Sequence, residues 1–236
     1  MYRRNCDIVK AYIDHLVVAA STLDEGVAWC EQTLGMSPGP GGEHPLMGTH
    51  NRLFSVATPH YPTTYFEIIA INKGAAYARQ QGLKRWFDLD NEALQHQLQQ
   101  SGPQLVHFVA VTARAAPAVQ ALATLGMNRG ELLEASRMTP NGMLSWKITV
   151  RPDGQRLMNG ALPTLIEWGD VHPSTSMVAS GITLQSLTAS QPDKRALNAA
   201  YAAIGLQGVA VSQGIPNLMA VLQTPRGLVT LESRGI

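Results

Sequence analysis

Four residues carry the chemistry legible in this chain: His15, Glu67, His107 and Glu167. Each histidine opens an apolar run, "DHLVVAA" at 14–20 and "VHFVAV" at 106–111. Each glutamate sits in a later run, "YFEIIAI" at 65–71 and "LPTLIEW" at 162–168. The His-to-Glu separations are 52 and 60 residues. A carboxylate inside an apolar strand is costly unless it is paired or bound to a metal. Two imidazole nitrogens with two carboxylates suit a divalent ion such as Zn, Ni, Fe, Co or Mn. Open coordination positions would admit water or substrate oxygens, and the ion would act as a Lewis acid. The competing reading is structural: a strand histidine hydrogen-bonded in the core, and a glutamate at a sheet edge or paired to arginine.

A repeat places these residues. Residues 14–36 can be laid over 106–127 with one single-residue gap: His15 falls on His107 at an offset of 92, and "LGM" at 34–36 falls on "LGM" at 125–127 at an offset of 91. A weaker third copy spans 181–206 and has no histidine at the matching position. Each copy opens with a Val-, Ile- and Leu-rich strand. A helix follows, with apolar residues at helical spacing: Val27, Cys30 and Leu34, then Val119, Leu122 and Leu125. Thr22 with Glu25 three residues on forms a capping box, and Gly35, Gly126 and Gly205 end the helices. Strand-like runs follow at about 41–47, 51–58 and 64–71, then at 131–138, 143–150 and 162–168, with turns at "TPNG" and "RPDG".

The expected organisation is a tail at 1–10, a βαβββ module at 11–75, a helical connector at 76–102 and a second module at 103–170. A linker at 171–180 leads to a third, partial module at 181–236. The fold class is α+β. Strand alternation puts His15 on one face with Ile13, Val17 and Ala19, and leaves Leu16 and Val18 to lie under the helix. Glu67 shares its face with Ile69 and Ile71.

Composition narrows the partners. Charged residues are 15% of the 236, below the ~25% usual in soluble domains. With 45% apolar residues, this points to extensive burial and a homodimer interface. No basic block with interleaved aromatics occurs, which argues against nucleic acid. Two cysteines, Cys6 and Cys30, make no disulfide framework and fit a reducing compartment. No apolar run is long enough for a membrane, and charges interrupt the only leader-like stretch, so a cytoplasmic protein is expected. Patterns for a nucleophilic serine elbow, a phosphate loop or a dinucleotide-binding turn are absent.

The stretches "IDHLVVAASTLDEGVAWCEQTLGM", "HPLMGTHNRLFSV", "YFEIIAI", "RPDG", "LPTLIEWGDVHPS" and "LQTPRGLVTLES" together resemble the glyoxalase-like domain family of the vicinal oxygen chelate superfamily. The resemblance covers most of residues 11–233. It implies paired βαβββ modules curled into a half-barrel, with metal ligands from the first and last strands of each module. Carried over by position, the ligands are His15, Glu67, His107 and Glu167. It implies a lyase, isomerase or oxygenase acting on a small oxygen-rich substrate, with Glu167 as the base. Some members are metal-free proteins that sequester small molecules, and that alternative stands beside the first. The family's His–Gly–Thr–Asn stretch matches 44–51, so His44, Thr49 and Asn51 are expected to bind substrate, unless they only hold a hairpin. Arg52 is a partner for Glu67 or for an anionic ligand. Trp146 either lines the pocket or packs the core with Trp168. His172, in "VHPS", reads as a fixed turn.

Overall fold

The computed structural model describes residues 9–75, 82–139, 142–177 and 179–235. Cys6 and the two middle residues of the "TPNG" turn lie outside them.

The first module comprises β1 (Ala11–Ala19), α1 (Leu23–Leu34), β2 (Glu43–His44), β3 (Thr49–Ser55) and β4 (Tyr65–Ile71). A 3-10 turn at Trp86–Asp88 and α2 (Glu92–Ser101) connect it to the second module. That module is β5 (Gln104–Thr112), α3 (Ala115–Ala123), β6 (Glu131–Thr139), β7 (Gly142–Val150) and β8 (Thr164–Trp168). The two modules share one eight-stranded sheet in the order β2-β3-β4-β1-β5-β8-β7-β6. This order reads the same from both ends in module terms. Each first strand pairs parallel with the last strand of its own module, and β1 meets β5 antiparallel at the centre.

Local chemistry explains the elements. Thr22 caps α1 by accepting from the Glu25 N–H, Asp24 and Glu25 complement the positive end of the helix dipole, and Gly35 closes it at φ 79°. Gly26 lets α1 sit directly on β4, because a Cβ there would overlap the Ile68 side chain. Leu16, Val18, Phe66 and Ile68 fill the helix side of the sheet. Val17, Ala19, Ile69, Val109 and Ile166 line the concave side with Leu94 and Leu98 of α2.

The third segment contains β9 (Thr183–Gln191), α4 (Lys194–Ala203), β10 (Val209–Gln213), β11 (Asn217–Thr224) and β12 (Gly227–Glu232). Its elements follow the order of the other copies, but the pairing differs. The strand after the helix, β10, lies parallel beside β9, giving a separate sheet in the order β10-β9-β11-β12. Leu184, Leu187, Leu218 and Leu222 of this sheet join Leu16 and Phe108 in one core on the helix side. The third sheet therefore seals the back of the half-barrel, on the side opposite the concave face that α2 and the connector partly cover.

Candidate functional site

The site grows from an irregularity in β1. The register against β5 shifts between Ile13 and His15, a β-bulge. The extra residue turns Asp14 inward beside His15 instead of placing it on the opposite face. Asp14 is completely buried, and its carboxylate gathers three donors. Oδ2 lies 2.6 Å from His15 Nδ1; Oδ1 accepts from Trp168 Nε1 at 2.9 Å and lies 2.8 Å from His172 Nε2. On the other side of the ring, His15 Nε2 is 3.5 Å from Glu67 Oε2, an ion pair longer than a good hydrogen bond. Tyr65, the β4 partner of His15 in the register, stacks on the imidazole with centroids 4.5 Å apart.

The electrostatics follow from this enclosure. Burial favours neutral forms, yet at His15 the adjacent Asp14 and Glu67 outweigh it and raise the pKa to about 9. Burial also opposes ionisation of Asp14, but hydrogen bonds from His15 and His172 hold its carboxyl at about 2. At Glu67 the same contest, won by His15 with help from the Asn51 hydrogen bond, leaves the carboxyl below its ordinary value. At neutral pH the array is thus carboxylate, imidazolium, carboxylate.

Two side chains from the first hairpin complete one wall. Asn51 Nδ2 donates to Glu67 Oε1 at 2.6 Å and lies 3.4 Å from His44 Nε2. His44 Nδ1 is 3.0 Å from Thr49 Oγ1. Burial drives His44 down to about 4, so it stays a neutral imidazole. The remaining walls are aromatic and aliphatic. Trp146 and Ile148 come from β7, Ile166 and Trp168 from β8, and Trp86 and Phe87 from the connector. Phe87 and Asp88 hold left-handed backbone angles, φ 60° and 59°, a strained turn that brings the Trp86 and Phe87 rings into the cavity. Asp88 is anchored there by Arg156, whose Nε donates to it at 2.9 Å. The enclosed space is about 40 Å³, room for a few waters. A second cavity of about 280 Å³ adjoins it, sharing His44, Trp86, Arg137, Trp146 and Ile148.

The four residues singled out from the sequence do not converge. His15 and Glu67 meet in the cavity; His107 and Glu167 do not join them. His107 is completely buried. Its Nε2 accepts from the Thr164 N–H at 3.0 Å, and its Nδ1 lies 2.9 Å from the Gly160 carbonyl. Burial, with Arg129 and Arg156 nearby, holds its pKa well below the ordinary value. It is a neutral ring with both nitrogens occupied, tying β5 to β8. Glu167 lies one residue out of phase. Ile166 and Trp168 face the cavity, whereas Glu167 turns to the helix side and accepts from the Ala115 N–H at the start of α3, at 2.8 Å.

The expected metal set therefore does not fit as a set. Two of its four donors are committed elsewhere, and His15 has a carboxylate at each nitrogen. Among the described residues, no three His, Cys, Asp or Glu side chains are arranged to hold a metal ion. Of the expected substrate contacts, His44, Asn51 and Trp146 line the cavity, and Thr49 stands behind His44 as its partner. Sequence reasoning missed Asp14, Trp86, Phe87 and Arg137. The signal for Asp14 was its place beside His15, but strand alternation assigns adjacent residues to opposite faces.

A family model described as a glyoxalase-like domain matches residues 13–205. The chain belongs to the glyoxalase-like domain family. This domain is built from two βαβββ modules that share one sheet, with a furnished cavity between them. A hypothetical protein from Staphylococcus aureus is similar in structure, with TM-score 0.58, 10% identity and 86% of each chain covered. Methylmalonyl-CoA epimerase from Mycobacterium tuberculosis gives a TM-score of 0.39 at 14% identity, covering 71% of this glyoxalase-like chain and 92% of its own. A single-site variant of the Streptomyces coelicolor methylmalonyl-CoA epimerase, in complex with 2-nitronate-propionyl-CoA, gives 0.41 at 16%, covering 68% and 96%. The first likeness is one of fold alone, and the epimerase scores are too low to bear on function. No curated protein matches the chain in sequence. Among the described residues, no helix is long and apolar enough to cross a membrane.

Proposed function

We propose that this glyoxalase-like domain protein binds a small oxygen-rich molecule in the cavity between its modules and moves a proton on it, as a lyase or isomerase does. The observation that carries this reading is the buried Asp14–His15–Glu67 array facing an aromatic-walled cavity. Buried titratable groups pushed apart by their environment are the mark of acid–base sites. In this reading Glu67, not Glu167, is the base. It takes a proton from a C–H beside a substrate carbonyl. The His15 imidazolium, oriented by Asp14, meets the negative charge that develops on the carbonyl oxygen. As His15 turns its charge toward that oxygen, Glu67 loses the partner that depresses its pKa and becomes a stronger base. Returning the proton to carbon completes an isomerisation; expelling a neighbouring group completes an elimination. His44, Asn51 and Trp146 hold the substrate. Met138 and Met143, exposed beside the β6–β7 turn, support a homodimer, which sedimentation would detect.

The test is solvent exchange. The protein is incubated in D₂O with 2-oxobutanoate and with 2,3-butanedione, and loss of the C–H signal beside the carbonyl is followed by proton NMR. The expected result is exchange above background that Glu67→Gln removes while the variant keeps its fold. Binding of these compounds without exchange would establish the sequestering alternative instead. The absence of both binding and exchange would overturn the reading.

A further inference from the structure

Arg137 has a role that the acid–base array does not use. It lies on β6, opposite Leu144 in the hairpin register, and its side chain reaches the boundary shared by the inner and outer cavities. Nε and Nη1 are enclosed by protein and have no hydrogen-bond partner among the described residues. Glu67, the carboxylate that lines the inner cavity, and Asp14 on the other side of the ring are already engaged with His15. Of the two glutamates that line the outer cavity, Glu134 lies 3.6 Å from Lys147 Nζ and Glu43 accepts from Asn72 Nδ2 at 3.5 Å. Arg137 as a whole is half-buried, but leaving two enclosed N–H donors without an acceptor is expensive. A guanidinium is also the group best shaped to receive a carboxylate, through two parallel N–H donors.

The surroundings fit such a ligand. Gly42 packs against this guanidinium so closely that a Cβ at that position would overlap Nη1. Beyond Arg137, the outer cavity is walled mainly by the apolar Pro45, Leu46, Met47, Leu133 and Ala135, with the exposed Glu43, Glu134 and Ser136 also lining it. Its volume of about 280 Å³ approaches the lower end of small-molecule sites.

We infer that the substrate is an organic acid with an apolar group: Arg137 holds its carboxylate at the neck, and the outer cavity takes its apolar end. This rests on the reading of the cavity as a small-molecule site. Arg137 is then the specificity-determining residue, separate from the groups that move the proton.

The test compares phenylpyruvate with its methyl ester by titration calorimetry. The ester keeps the ring and the oxo oxygen but lacks the negative charge. The wild-type protein is expected to bind the acid roughly 10- to 100-fold more tightly than the ester, the range of a charged hydrogen-bonded contact. Arg137→Met should abolish the difference. Gly42→Ala supplies a second variant if the first fails to fold. Gly42 is outside the left-handed region, so alanine suits the backbone, and its Cβ displaces the guanidinium without removing its charge. The same loss of preference is expected. Equal affinities in the wild-type protein, or a preference that survives both substitutions, would overturn the assignment. If neither compound binds but 2,3-butanedione, which has no carboxylate, still exchanges, the inference fails and the proton-transfer reading stands. If nothing binds or exchanges, both fail.

Discussion

Replacing Asp14 by asparagine tests the charge state of the site most directly. The amide keeps the volume and an acceptor but removes the charge that, with Glu67, holds the proton on His15. In the folded protein His15 titrates near 9, against an ordinary 6.5 in the unfolded chain. A raised folded pKa means stability that is fully present below 6.5 and lost as the pH rises through about 9. Between those limits the folded state carries one proton more than the unfolded state. Stability therefore falls by about 1.4 kcal/mol per pH unit, or about 3 kcal/mol over the window. For a chain of this size that corresponds to a Tm about 6 to 12 °C lower at the alkaline end. Urea unfolding at intervals from pH 6 to 10 would show this slope in the wild-type protein and a shallower one in Asp14→Asn. The variant should also be less stable at neutral pH by about 3 kcal/mol, the cost of leaving a buried charge without its partner. The ring-proton NMR shift of His15 gives its pKa directly. A wild-type His15 that titrates at or below 6.5 would refute the ionic description of the array.

Other substitutions separate structure from chemistry. On the acid side, the depressed Asp14 supplies stability that is present above 3.8 and lost as the pH falls through about 2, a phase absent from Asp14→Asn in acid unfolding curves. His107→Leu leaves the Thr164 N–H and Gly160 carbonyl unpaired in the core and should cost about 3 kcal/mol in urea unfolding, with exchange per folded molecule retained. Glu167→Gln weakens the α3 cap and should cost about 0.5 to 1 kcal/mol without slowing exchange; a large loss of rate would return Glu167 to the chemistry. Gly26→Ala, although a better helix former, should lower Tm because its methyl group meets Ile68, at about 1 to 3 kcal/mol.

The repeat made the architecture legible. Helical spacing after each apolar run, the Thr22 cap and the closing glycines correspond to α1 and α3, and the later runs correspond to the strands. His15 and Glu67 were legible as well: Glu67 alternates with Ile69 and Ile71, and His15 shares its face with Val17 and Ala19, although the bulge sends Ile13, expected on that face, into the helix-side core. The second pair was not. His107 matches His15 by alignment, but what a histidine does depends on what stands beside it, and Thr164 and Gly160 occupy both its nitrogens. Glu167 fails by one residue, and in a strand one residue is the difference between two faces. Asp14 was hidden by the bulge, which suspends that same alternation. Arg137 sits on an edge strand with exposed neighbours, where the sequence looks like surface; only the curl of the sheet encloses it.

The linker into the third sheet has a consequence for how the protein assembles. Asp14 finds one of its donors 158 residues downstream, at His172, and Pro173 lines the cavity beside it. A ribosome releases β1 long before that donor exists. Until then the carboxylate must stay hydrated or find another partner, so the first module can fold in outline but not in its final charge pattern. Closing so distant a contact is slow, because chain entropy must be overcome before the contact rewards it. The buried Asp14–His15–Glu67 charge array is thus among the last features to form, and it reports that the second module and the linker are in place.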